Sequence, residues 1–188
     1  MDKQKQSVLN ICLIALFTAI MVVCAQIAIP LPGGVPFTLQ TWAIALAGVV
    51  LGPKHGTIAT LLYIALGAVG APVFAGWSGG LAVIVGRTGG FILSFPLISL
   101  LAGLGAHMGR NRSKLIAWVT LSAGLILGTA INLFIGMVYF DFVMRVGWPT
   151  AFAWSVAPFL LSSVLRIVFV AGLGKSINFA LGKAGLRR

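Results

Sequence analysis

The chain alternates between long apolar runs and short breaks rich in proline, glycine or basic residues. Six runs stand out: roughly 11–29, 37–51, 57–70, 91–106, 115–140 and 152–173. Pro30 and Pro32 stop the first, Gly52-Pro53 stops the second, and Pro72 follows the third. A proline lacks the amide hydrogen a helix needs and restricts the residue before it, so these are natural ends. The pattern predicts an all-α fold of six membrane-spanning helices in a single domain over 1–188. The second and third runs are short for a bilayer, which implies tilt or non-helical ends buried in protein.

Composition moves the reading from buried core to membrane. Of 188 residues, 60% are hydrophobic and only 8% charged, with a mean hydropathy of +1.10. A soluble domain of this size cannot hide that much apolar surface, whereas lipid tolerates it. Lys3 and Lys5 resemble the basic start of a signal peptide, but the run after them is long enough to span and lacks a small-x-small cleavage pattern. It is read as the first helix.

The formal charge of +11 comes from 13 basic and 2 acidic residues. The basic residues are too few and too scattered for nucleic acid; they punctuate the apolar runs, as topology signals do. With the N-terminus in the cytoplasm, Lys3, Lys5, Lys54, Arg110, Arg112, Lys114, Lys175, Lys183, Arg187 and Arg188 all fall inside, ten of the 13. Only Arg87 and Arg145 fall in outer loops, and Arg166 lies within a span. The bias predicts both termini inside, in the cell membrane, with anionic lipid as counterion.

The inner connections are short and basic. The outer ones, 30–36, 71–90 and 141–149, hold glycines, aromatics, an acid and an arginine. Loops of this kind on a rigid scaffold carry function, so a ligand site is expected at the outer face. No internal repeat suggests a carrier built from inverted halves.

Catalytic signals are nearly absent. There is no phosphate-cradling Gly-x-x-x-x-Gly-Lys-Ser/Thr sequence, so the chain is not expected to hydrolyse ATP. His55 and His107 sit beside basic residues at the inner edge, and Cys12 and Cys24 lie in the first run; neither pair has metal-site spacing. No enzyme, metal or cofactor is implied. Asp2 is in the tail, leaving Asp141 as the acid near the membrane.

Arg166 is the most informative residue. It lies about 16 Å along the last helical segment from Ser155, at ~1.5 Å per residue. An arginine at that depth costs a few kcal/mol and should face the protein interior. It is either the counter-charge for a ligand carboxylate or a structural partner of Asp141 or of backbone carbonyls. Arg87 is either a second anion contact or a headgroup-reaching residue. Asn132 must hydrogen-bond a neighbouring helix or a ligand. Thr38 and Gln40 cap the second helix or meet a polar ring. Of the aromatics Phe37, Trp42, Tyr63, Phe74 and Trp77, those flanked by glycine, Phe74 and Trp77, could line a pocket together with Gly76 and Gly79. Ala15 and Ala19 form a small-xxx-small pair that would let another helix approach closely.

Four segments then resemble a known family. Pro36-Phe-Thr-Leu-Gln40, Leu46-Ala-Gly-Val-Val-Leu-Gly-Pro-Lys54, Gly70-Ala-Pro-Val-Phe-Ala-Gly76 and Gly86-Arg-Thr-Gly-Gly-Phe91 look like the BioY family. That family provides the biotin-binding S components of energy-coupling factor transporters. The resemblance implies six helices with cytoplasmic termini and a pocket open to the outside. It also implies a transmembrane coupling subunit and two ATPase subunits as partners, with Ala15 and Ala19 at the position of the family's coupling-subunit contact. Family members carry an aspartate and a lysine, three apart, after Pro-Phe-Leu in the last helix. Here Pro158-Phe-Leu160 is followed by Ser163 and Arg166, so the positive charge is kept and the acid lost. Arg87 stands where proline is common.

The resulting expectation is a biotin-capturing membrane subunit whose contacts include Thr38, Gln40, Phe74, Gly76, Trp77, Gly79, Arg87, Asn132, Asp141, Ser163 and Arg166. The same-class alternative is lipoate or another small carboxylated vitamin, since lipoate has no ureido ring to need the acid. The different-class alternative is a non-transporting structural membrane protein, in which Arg166 pairs with Asp141.

Overall fold

In the computed structural model, residues 3–31, 33–110 and 112–183 are described; the side chains of Lys3 and of 175–183 are not. Asp2, Pro32, Arg187, Arg188 and the side chains of Lys175 and Lys183 therefore lie outside the described residues. The chain is mostly helical, as expected: α1 Lys3–Gln26, α2 Gln40–Ala68, α3 Leu81–Ile84, α4 Gly89–Met108, α5 Lys114–Met144, α6 Trp148–Ser155 and α7 Ala157–Lys183. Among the described residues, α1, α2, α4, α5 and α7 contain stretches long and apolar enough to cross a membrane, five in all.

Helix α2 is a hairpin. Gly52 (φ 81°, ψ 173°) breaks it, and Pro53 starts the returning arm. The Tyr63 hydroxyl lies 2.9 Å from the Gln40 side-chain oxygen. Those residues are 23 apart in sequence and would be ~34 Å apart on a straight helix. A positive φ of this size is routine only for glycine, which explains why the turn falls here.

Several predicted boundaries are corrected. The first run does not stay helical to 29: α1 ends at Gln26, and β1 (Ala28–Ile29) pairs antiparallel with β2 (Phe37–Thr38). Pro30 disfavours helical geometry at Ile29, and the freed backbone groups pair with the chain returning from the loop. The second helix accordingly starts at Gln40 rather than 37. Helix α5 runs to Met144, so Asp141 is helical rather than in a loop. The last run is two helices, broken at Val156. Pro158 has no amide hydrogen to offer Trp154, and its ring would clash with that carbonyl.

The core runs along the bundle axis, with Met21, Ile44, Ile98, Leu125, Phe140 and Val170 fully buried. Polar side chains fasten neighbouring helices where lipid offers no hydrophobic drive. The Thr18 hydroxyl on α1 lies 3.1 Å from the Ala59 carbonyl on the returning arm of α2.

Candidate functional site

The loops at one end of the bundle and the adjoining helix ends enclose a cavity of about 480 Å³. That is the size range of small-molecule pockets. Its wall combines residues 30–31 and 34–38, the start of α2, the 74–78 turn, the 82–88 segment, the first turns of α4, Asn132 and Leu133 on α5, and Phe159, Ser162, Ser163 and Arg166 on α7. Helix α1 contributes no residue to it.

Arg166 enters this cavity from α7 and is 5% exposed. One of its terminal nitrogens donates to the Thr129 hydroxyl oxygen at 2.6 Å. That hydroxyl donates its own hydrogen to the Leu125 carbonyl at 2.7 Å, so its oxygen is free to accept. A neutral relay on α5 thus aims the guanidinium without neutralising it. Asp141 does not do so: its carboxylate accepts the Gly147 amide hydrogen at 2.7 Å in the α5–α6 turn, and it is absent from the cavity wall. Among the described residues, no acidic side chain lines the cavity.

Asn132 is buried and lines the same cavity. Its side-chain nitrogen donates to the Phe91 carbonyl at 2.9 Å and to the Ser94 hydroxyl at 2.7 Å. Both bonds use the nitrogen and leave the amide oxygen as an acceptor. Phe91, Phe37 and Phe159 form the aromatic side, the ring of Phe159 lying 6.3 Å from Phe37 and 6.5 Å from Phe91. Phe74 closes another wall, its ring edge-on to Tyr63 at 5.5 Å and 85°.

Arg87 is exposed and reaches across the mouth to the 30–36 loop. Its guanidinium lies against Gly34 (φ 74°): a Cβ there would come within 2.6 Å of the Arg87 Cζ. Glycine thus serves twice at this position, for its backbone angle and for the flat group stacked on it.

Of the eleven expected contact residues, Thr38, Gln40, Phe74, Arg87, Asn132, Ser163 and Arg166 stand in the cavity wall; Gly76, Trp77, Gly79 and Asp141 do not. Gly76 (φ 67°) and Trp77 (φ 55°) instead shape the turn that presents Phe74, Ala75 and Ser78, and the Trp77 side chain is largely exposed. Reading the sequence missed Thr129 as the partner of Arg166, and missed Phe91, Phe159 and Ser162 in the wall. Phe91 and Phe159 were within reach, since Phe91 ends one of the segments that carry the resemblance and Phe159 stands in the Pro158-Phe-Leu160 run compared with the family's last helix. Nothing in the sequence singles out Thr129.

The sequence profile described as the BioY family matches residues 1–183. The chain belongs to that family. Among BioY relatives, the protein named "Probable biotin transporter BioY" from Pyrococcus horikoshii is 42% identical over 157 residues, 84% of this chain and 88% of its own length. "Biotin transporter BioY2" from Lactococcus lactis is 36% identical over 180 residues, 95% of this chain and 94% of its own. The fold matches that of a solved S component for biotin from an ECF-type ABC transporter, with a TM-score of 0.82 over 94% of both chains at 24% identity. At that identity the likeness establishes the shared fold.

Proposed function

We propose that this BioY chain is the substrate-capturing membrane subunit of an energy-coupling factor importer and that its ligand is biotin. It acts by binding, and ATP hydrolysis belongs to partner subunits. The observation that carries the reading is the cavity into which the buried, acid-free Arg166 projects. A ligand carboxylate satisfies that charge with paired hydrogen bonds, and the low-dielectric wall strengthens them. The ring packs toward Phe74 and the start of α2. Gln40, Thr38 and the Asn132 amide oxygen replace the missing aspartate as acceptors for ureido N–H groups, and Arg87 supplies a second positive charge at the mouth.

The topology that fits this reading has six crossings, the two arms of α2 counting separately, with both termini in the cytoplasm of a multi-pass cell-membrane protein. The cavity then opens outward. Ala15 and Ala19 lie on an exposed face of α1 and offer a close-packing strip to the transmembrane coupling subunit, with two ATPase subunits beyond it.

Lipoate is the second reading, favoured specifically by the lack of any acid in the cavity wall. Equilibrium binding of labelled biotin to the purified protein in nanodiscs decides between them. Saturable one-to-one binding that excess biotin displaces and lipoate does not is the expected result. Stronger displacement by lipoate would transfer the assignment, and no binding of either would remove vitamin capture altogether.

A further inference from the structure

Gln26 ends α1, a helix absent from the cavity wall, yet its side chain is the hub of the loop that forms part of that wall. The Gln26 nitrogen lies 3.4 Å from the Val73 carbonyl and 3.2 Å from the Phe74 carbonyl, besides 3.2 Å from Val22 one turn back in its own helix. Its oxygen accepts the Trp77 amide hydrogen at 2.9 Å. One side chain therefore bridges both ends of the 73–77 turn, a job that needs a donor and an acceptor on the same rigid group.

The turn depends on such a bridge. Gly76 and Trp77 are consecutive left-handed residues, and for tryptophan that geometry is unfavourable unless the surroundings enforce it. Among the described residues, the other bond that pins the turn from outside is that of the fully buried Tyr63 hydroxyl to the Val73 carbonyl. The Tyr63 hydroxyl sits 3.1 Å from the Val73 carbonyl and 2.9 Å from the Gln40 side-chain oxygen. Gln40 and Phe74 both line the cavity. A continuous polar path thus runs from the cavity wall at Gln40, through Tyr63 and Val73, to Gln26 at the end of α1.

We propose that Gln26 is a positioning residue for ligand capture: from outside the cavity it holds the 73–78 turn, and with it Phe74, Ala75 and Ser78, in the ligand-accepting position. Tyr63 supports the same turn at the Val73 carbonyl. This inference rests on the biotin reading for its affinity arm only.

The test uses Gln26→Met, which keeps length and volume but removes donor and acceptor, and Tyr63→Phe, which removes the second tether. Full-length proteins in nanodiscs are compared by biotin binding and by segment-resolved hydrogen exchange without ligand. Gln26→Met should weaken biotin roughly tenfold, the loss of 1.4 kcal/mol being one decade. Exchange should quicken over 71–80 and stay as in the wild type in α4 and α5. Because both side chains act on the Val73 carbonyl, the double variant should lose less than the product of the two single losses.

Wild-type affinity alongside faster exchange at 71–80 would overturn the proposal, as would faster exchange spread evenly over the bundle. If Gln26→Met does not fold, Tyr63→Phe carries the same comparison, with weaker binding and faster exchange confined to 71–80 as the supporting result and either unchanged as the opposing one. A wild-type protein that binds no biotin would remove the ligand assignment, while the exchange pattern would still decide whether Gln26 holds the turn.

Discussion

The two ends of the helix bundle are built on opposite principles. Toward the Gly52 turn the backbones touch. Gly48 lies against the backbone of Ser99, Gly103 against Pro53 and the Gly48 carbonyl, and Gly105 against Gly124. At the cavity end Gly90 of α4 still packs against Ile135 and Tyr139 of α5, but beside that contact a gap opens that phenylalanine rings, a strained turn and two arginines fill or frame. Lipid tails are as apolar as leucine, so in a membrane close contact comes from small residues and hydrogen bonds. At the glycine end the backbones leave little room, although the buried Ser99 hydroxyl there has no hydrogen-bond partner. The cavity end leaves a buried cation facing open space. Close backbone packing is concentrated at one end and the buried cation at the other.

Removing that charge tests the contrast most severely. Arg166→Ala should cost about 2–5 kcal/mol of biotin affinity, at least about thirtyfold, because a buried charge pair loses one partner. The unliganded protein should be no less stable in thermal unfolding, since Thr129 keeps its bond to the Leu125 carbonyl and a costly buried charge is gone. Equal affinity in the variant would detach Arg166 from the ligand.

Gly48→Ala is the converse experiment. The added Cβ would run into the Ser99 backbone, which cannot rotate away as a side chain could. The expected loss is about 1–3 kcal/mol of stability, read as a lower unfolding midpoint in detergent. Biotin affinity of the folded fraction should stay within about twofold, inside the ~0.5 kcal/mol scatter of independent sites. If affinity falls as far as stability, the two ends are not independent.

The division between legible and hidden features follows the same line. The glycine end was legible because its causes are local: Gly52-Pro53 ends one helix and starts another whatever surrounds it. Arg166 was legible because a charge deep in an apolar run has few explanations. Burial was not. In a soluble helix the polar face marks the outside, but here Phe91 is buried and Phe142 exposed with nothing apolar or polar in their composition to tell them apart. In the sequence Gln26 is only a polar residue near the end of an apolar run, because its four partners lie on its own preceding turn and about fifty residues away. The neutral Thr129 tether was hidden for the same reason, and Asp141 drew attention as an acid when its work is to order a turn.

Arg87 should show a smaller effect than Arg166, because it is exposed and water screens it. Arg87→Ala should weaken biotin by about 1 kcal/mol or less, mainly through a slower association rate whose salt dependence flattens. Stopped-flow binding at low and high ionic strength measures this. A loss in dissociation rate as large as that of Arg166→Ala would place Arg87 in direct, desolvated contact with the ligand.

Asp141→Asn is expected to do least, and for that reason it discriminates between ways of satisfying Arg166. The side-chain oxygen of asparagine can still accept the Gly147 amide hydrogen, so the α5–α6 turn with its left-handed Arg145 (φ 53°) and Gly147 (φ 84°) keeps its tether. Stability should change by no more than about 0.5 kcal/mol and biotin affinity by no more than about twofold, by thermal unfolding and equilibrium binding. A structural arginine paired with this acid would behave otherwise: removing the carboxylate would strand a buried cation, and the cost would approach the ~3–5 kcal/mol of a broken buried pair. Asp141 instead spends its carboxylate on a backbone amide, and the guanidinium is held by a hydroxyl that carries no charge. On the proposed reading, the positive charge on α7 is met by the ligand carboxylate within the cavity.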